Sequence, residues 1–212
     1  MKKRHNRFAI WLVDVRSNPH SVFYREKAMH HDELLQISRQ LSPADVCAEL
    51  LALSVVEYSY SPESRITLEL DGAAAKLTDT GRGMRLTPDR GDTLSHAERA
   101  LTGFYPCLPS SPEIESTLRE LVWGERGSIG PSLANFACPS LTFTSMRGGE
   151  VWSQGYGYGK PAGPAARLGT SETTGTIIDF RTAGAIDHTT ISSLADALRA
   201  RIPGLVITLR FQ

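Results

Sequence analysis

The sequence has little of what marks a specialised class. It has no charge imbalance, since 23 Lys plus Arg face 23 Asp plus Glu over 212 residues. Without a net field, attachment to nucleic acid or to an anionic membrane by bulk charge is not expected. Cysteine is scarce: Cys47, Cys107 and Cys138 are the only three, and none sits in a CxxC pair. That argues against a zinc site or a disulfide framework and for reduced, buried thiols, hence for a cytoplasmic protein. Long apolar runs are missing too. Phe8 to Val13 follows a basic start, Met1-Lys2-Lys3-Arg4, but Asp14 and Arg16 interrupt it before it could export or anchor the chain. There are no internal repeats and no low-complexity linker, and the length suits one domain better than two.

What is present centres on Lys76-Leu77-Thr78-Asp79-Thr80-Gly81-Arg82-Gly83-Met84-Arg85. Alternation from Ile66 to Leu70 and from Ala73 to Thr78, across an Asp71-Gly72 turn, predicts a β-hairpin that delivers Asp79 to a glycine-flanked corner. Taken alone, the corner is either an acidic surface turn or a place where Gly81 and Gly83 let a flat or anionic ligand approach the main chain. Upstream, Ser42-Pro43-Ala44-Asp45 announces a helix running to about Tyr58, with a capping serine, proline in the first turn and an acid three residues on. Val46, Leu50, Leu53 and Glu57 share one face of it. Glu49 stands beside that stripe, read as a partly desolvated carboxylate or as an exposed charge at its edge.

The flanking segments are plainer. Phe8 to Val15 reads as a strand ended by Ser17-Asn18-Pro19. His30-His31-Asp32 is a solvated helix start with Asp32 as cap; adjacent histidines on a helix diverge by about 100° and do not converge on a metal. Asp92 to Leu101 and Pro112 to Leu121 read as helices separated by the breaker run Pro106-Cys107-Leu108-Pro109-Ser110-Ser111-Pro112. The whole stretch from Leu86 to Gly130 has the composition of a lid more than of a core. It ends in Gly124-Glu125-Arg126-Gly127-Ser128-Ile129-Gly130, feeding a short helix from Pro131 to Ala137; a glycine-rich turn at a helix start is a usual means of holding phosphate. Ser140 to Met146, Glu150 to Tyr158 and Thr176 to Phe180 read as strands, the first two joined by Arg147-Gly148-Gly149. Thr189 to Ala200 reads as a helix and Leu205 to Phe211 as a last strand. Tyr156 and Tyr158 are assigned to an edge strand rather than to a base-stacking platform, which would need basic neighbours.

Three motifs in order, Asp79 to Met84, Gly127-Ser128-Ile129-Gly130 with Asn135, and Thr174-Gly175-Thr176-Ile177-Ile178-Asp179-Phe180, resemble the ATP-binding domain of DNA gyrase B and of its counterpart in topoisomerase IV, within the GHKL class of ATPases. The resemblance covers about residues 43 to 212 and leaves 1 to 42 as an N-terminal extension packing on the domain. It implies an α+β fold, a two-layer α/β sandwich of the GHKL (Bergerat) type, with a mixed sheet, helices on one face and a lid at about 86 to 130. It further implies ATP or ADP as ligand. Asp79 would take the adenine amino group, supported by Thr176, and Arg82, Gly83 and Met84 would border the pocket. Gly127, Ser128, Ile129 and Gly130 would meet the phosphates, and Glu49 would be the general base.

Departures from the family weigh against chemistry. Leu53 stands where the family has its magnesium-binding asparagine, and an alkyl group cannot ligate a hard cation. Glu125 and Ser128 replace glycines, Arg126 is the nearest substitute for a lid lysine, and no second subdomain follows. These features leave three readings: a slow ATPase, a nucleotide-binding module whose lid presents a surface to a partner, and a non-catalytic interaction module or decoy. Partners implied are adenine nucleotide and a protein partner or second copy, with neither direct nucleic-acid contact nor membrane attachment.

Overall fold

The computed structural model describes residues 31–103 and 105–212, the side chains of residues 31–33, Glu125 and Arg126 excepted. The strand expected over Phe8 to Val15, the capping role of Asp32 and the roles given to Glu125 and Arg126 therefore lie outside the described residues. Two helices open the described chain, α1 (His31–Ser38) and α2 (Pro43–Tyr60). The start of α2 is fixed by a capping box. Ser42 Oγ accepts from the Asp45 N–H at 3.1 Å, and the Asp45 carboxylate accepts from the Ser42 N–H at 2.9 Å.

The hairpin follows as β1 (Arg65–Asp71) and β2 (Ala74–Asp79), antiparallel, with Gly72 at φ 55° in the turn where a side chain would be strained. Next come α3 (His96–Thr102), α4 (Pro112–Leu118) with a π-helical turn Arg119–Trp123, and α5 (Gly130–Ala137). The chain then forms β3 (Ser140–Arg147), β4 (Glu150–Gly157), β5 (Lys160–Pro161), β6 (Ala166–Thr170), β7 (Gly175–Arg181), α6 (His188–Arg201) and β8 (Val206–Phe211).

The strands make one eight-stranded sheet in the order β5-β4-β3-β7-β2-β1-β8, with β6 also paired to β4. Every pairing is antiparallel except β1 with β8, which makes the sheet mixed. Alternation sorts its faces. Ile66, Leu68, Leu70, Leu77, Ile178, Phe180, Leu141 and Phe143 point under the helices and are buried, whereas Lys76, Asp179, Arg181 and Thr142 stand on the open face. α2 lies in the middle of the helical layer and is buried nearly all round, from Val46 to Tyr58. Leu34 of α1 packs with Leu133 and Phe136 of α5 in a smaller cluster.

The segment from Leu86 to Gly130, expected to be lid-like, contributes Leu86, Ala97, Leu101, Ile114, Leu118 and Trp123 to the main core. Its proline and serine breakers divide short helices that each bury two or three residues, so the composition hides their packing. Tyr156 is buried and its hydroxyl donates to Gln154 Oε1 at 2.8 Å, while Tyr158 is exposed. Tyr156 lies in β4, which is not an edge because β5 and β6 cover its outer side, and Tyr158 lies in the turn that follows it. All three cysteines are free and buried, and burial pushes each thiol up to about 12.

Candidate functional site

Asp79 ends β2, but the hairpin does not leave it on the surface. It is 3 % exposed, because the central part of α2 covers the end of the strand. Its Oδ2 accepts a hydrogen bond from Ser54 Oγ at 3.0 Å, and its Oδ1 accepts from the Gly81 N–H at 3.0 Å. Burial pushes the Asp79 carboxyl up to about 6, while the Gly81, Ser54 and Thr176 hydrogen bonds act downward and the nearby Glu57 charge acts upward. Across the ladder Asp79 pairs with Thr176, which pairs in turn with Ser145, so three strands bring a row of buried polar side chains to one end of the sheet.

A cleft of about 210 Å³ opens over this row. Asp79, Thr176, Arg82, Gly83 and Met84 line it, as the sequence reading grouped them, and Leu53 supplies an apolar wall. Glu49, Gly127, Ser128, Ile129 and Gly130 do not line it. Glu49, expected to be partly desolvated, is fully buried one helical turn before Leu53, packed on Gly130 at the start of α5 so closely that a Cβ there would overlap its carboxylate. The glycines of the corner also serve packing: a Cβ on Gly81 would overlap the Glu57 side chain, and one on Gly83 would lie 2.8 Å from Ser145 Oγ.

Beside Arg82, the rim is built from residues that no sequence motif marks. Arg82 donates through Nε and Nη2 to the two Glu57 carboxylate oxygens at 2.8 and 2.9 Å, and its backbone N–H donates to Oε1 at 2.6 Å. Its guanidinium lies 4.2 Å from the ring centroid of Tyr60. Arg147, the last residue of β3, donates to the Gly83 carbonyl at 2.8 Å. Glu57 and Tyr60 follow Leu53 on α2 at helical spacing, so only their position on the stripe could have suggested them; Arg147 had no local signal.

A strap, Tyr105 to Leu108, roofs the cleft. Tyr60 Oη donates to the Leu108 carbonyl at 3.0 Å, and the Ser110 N–H and hydroxyl bond to Ser59 at 2.8 and 2.5 Å. At its other end the Cys107 N–H donates to the Ser128 carbonyl at 3.3 Å, tying strap to glycine turn. His96 meets Tyr105 at the mouth, with ring centroids 5.4 Å apart.

The donor set does not fit magnesium. Leu53 offers hydrocarbon, both Glu57 oxygens are engaged by Arg82, and both Asp79 oxygens are engaged by Ser54 and Gly81. Among the described residues no group of three or more His, Cys, Asp or Glu is placed to hold a metal, and no helix is long and apolar enough to cross a membrane.

Strand order, the helical layer on one face and the cleft at the sheet's end together define a two-layer α/β sandwich of the GHKL type. Among solved structures the chain is similar to the 43K ATPase domain of gyrase B from Thermus thermophilus, determined in complex with an aminocoumarin. The TM-score is 0.60 at 18% sequence identity, over 78% of this chain and 42% of that one. The chain thus matches less than half the length of that relative, and the likeness is one of fold. No family model matches the chain.

Proposed function

We propose that the chain binds an adenine nucleotide through the base, with slow or no hydrolysis. The observation that carries this reading is Asp79, a carboxylate sealed beside Thr176 at the floor of a cleft. Ionised, it offers only acceptors, which suits an exocyclic amine on a flat heterocycle. Arg82, Gly83 and Met84 border the ring, and Gly127, Ser128, Ile129 and Gly130 are the backbone that phosphates would meet. Glu49 is the candidate general base. Its activity is expected to be small, because a positioned base gives about 10²- to 10⁴-fold and Leu53 provides no metal ligand to add to it. The alternative, a non-catalytic GHKL-like interaction module, is favoured by the same leucine and by a strap bonded shut over the cleft.

The test is calorimetry with ADP on the wild type and on Asp79→Asn. Measurable heat at millimolar ligand that falls about ten-fold or more in affinity in the variant supports the reading. Heat that the substitution leaves unchanged, or none with any adenine compound, defeats it. Phosphate release no faster than in a Glu49→Ala control, with ADP binding retained, would leave nucleotide binding without hydrolysis.

A further inference from the structure

Resting on that adenine reading, we infer that the cleft takes an uncharged aminopurine nucleoside in preference to its polyphosphate, base and sugar carrying the affinity and the phosphates none of it. The size of the cavity is the first reason. At about 210 Å³ it falls below the ~300–1,000 Å³ of ordinary small-molecule sites, enough for a base with part of its sugar.

The charge of the lining is the second. Among the described residues that line the cleft, Arg82 is the one permanent cation and both of its side-chain hydrogen bonds run to Glu57, while Arg147 at the rim is turned onto the Gly83 carbonyl. A bound phosphate would have to share that guanidinium with Glu57, whose carboxylate stands beside it and repels the added charge. A neutral heterocycle disturbs nothing. It stacks against Leu53, Met84 and Phe143 and meets the buried acceptor below.

The third is the route a phosphate chain would take. The Cys107 N–H to Ser128 carbonyl bond joins the roof to the glycine turn, so a chain of phosphates leaving the cleft toward that turn meets the roof itself.

The experiment is a calorimetric series on the full chain with adenosine, AMP, ADP and ATP, each with and without magnesium, and guanosine as base control. Affinity that is highest for adenosine, about ten-fold lower for ATP, and unmoved by magnesium supports the inference. ATP binding about ten-fold tighter than adenosine, or a gain on adding magnesium, overturns it and leaves the adenine reading standing. Guanosine equal to adenosine, or no heat from any of them, overturns both.

Discussion

A carboxylate with a folded pKa near 6 against an ordinary 3.8 makes Asp79 a titrating group close to neutrality. The sign is fixed by linkage. The folded state holds the proton more tightly, so the contribution of Asp79 to stability is fully present below the unfolded pKa and is lost as pH rises through the folded one. Stability should therefore decline between about pH 4 and pH 6 for this group, by a few kcal/mol at roughly 1.4 kcal/mol per unit of displacement. Asp79→Asn should flatten that slope in urea titrations across the same range. Its folding should survive, because an amide can accept from Gly81 while facing the Ser54 hydroxyl. Ligand binding has the opposite sense: the acceptor is complete only when ionised, so adenosine affinity should fall as pH drops below about 6. A flat affinity profile from about pH 5 to pH 8 would contradict this.

Among the elements, the strand ends tolerate no side chain where β7 begins. Gly175 has φ 146°, and a Cβ on it would overlap the Asp79 carbonyl oxygen, so glycine is demanded both by conformation and by the approach of β2. Gly175→Ala should destabilise by roughly 2–4 kcal/mol in denaturant unfolding, against almost nothing for Gly163→Ala, where a Cβ meets open space. This element was legible in the sequence as an apolar, β-branched run. So were the capping box of α2, the hairpin and the β3–β4 pair with its glycine turn, because each is dictated by neighbours in the chain. β5 and β6 were not. A two-residue strand has no period, and Ala166–Thr170 is exposed along most of its length, leaving no alternation to read. Part of the site was legible too, since Asp79 to Met84 and Thr176 lie on predicted strands and turns. The burial of Asp79 was not, because it is imposed by Ser54 of α2 and has no counterpart in the hairpin itself.

For the molecule as a whole, the three thiols report how tightly the layers close. Cys47 sits in α2, Cys107 in the strap and Cys138 just past α5, each buried and held protonated with a pKa near 12. Native protein should react negligibly with a thiol reagent at about pH 8, and unfolded protein should release all its thiols at once. In partial denaturant Cys107 should label first: although it packs in the main core, its strap is held by hydrogen bonds to Ser59, Tyr60 and Ser128, whereas Cys47 lies in α2 and Cys138 follows α5. Mass spectrometry of labelled peptides distinguishes this order from simultaneous labelling, which would mean that strap and core unfold as one unit.

The parallel pairing of β1 with β8 joins Arg65 to Val206 and Leu70 to Phe211. One side of β1 finds its partner within a few residues, through the hairpin; the other side waits until almost the entire domain has been synthesised. During that wait a nascent chain carries a bare row of amide and carbonyl groups beside an apolar strand, the state most open to intermolecular pairing. Refolding of this protein is accordingly expected to be slow and concentration-sensitive, limited by the arrival of a single distant strand rather than by the helices.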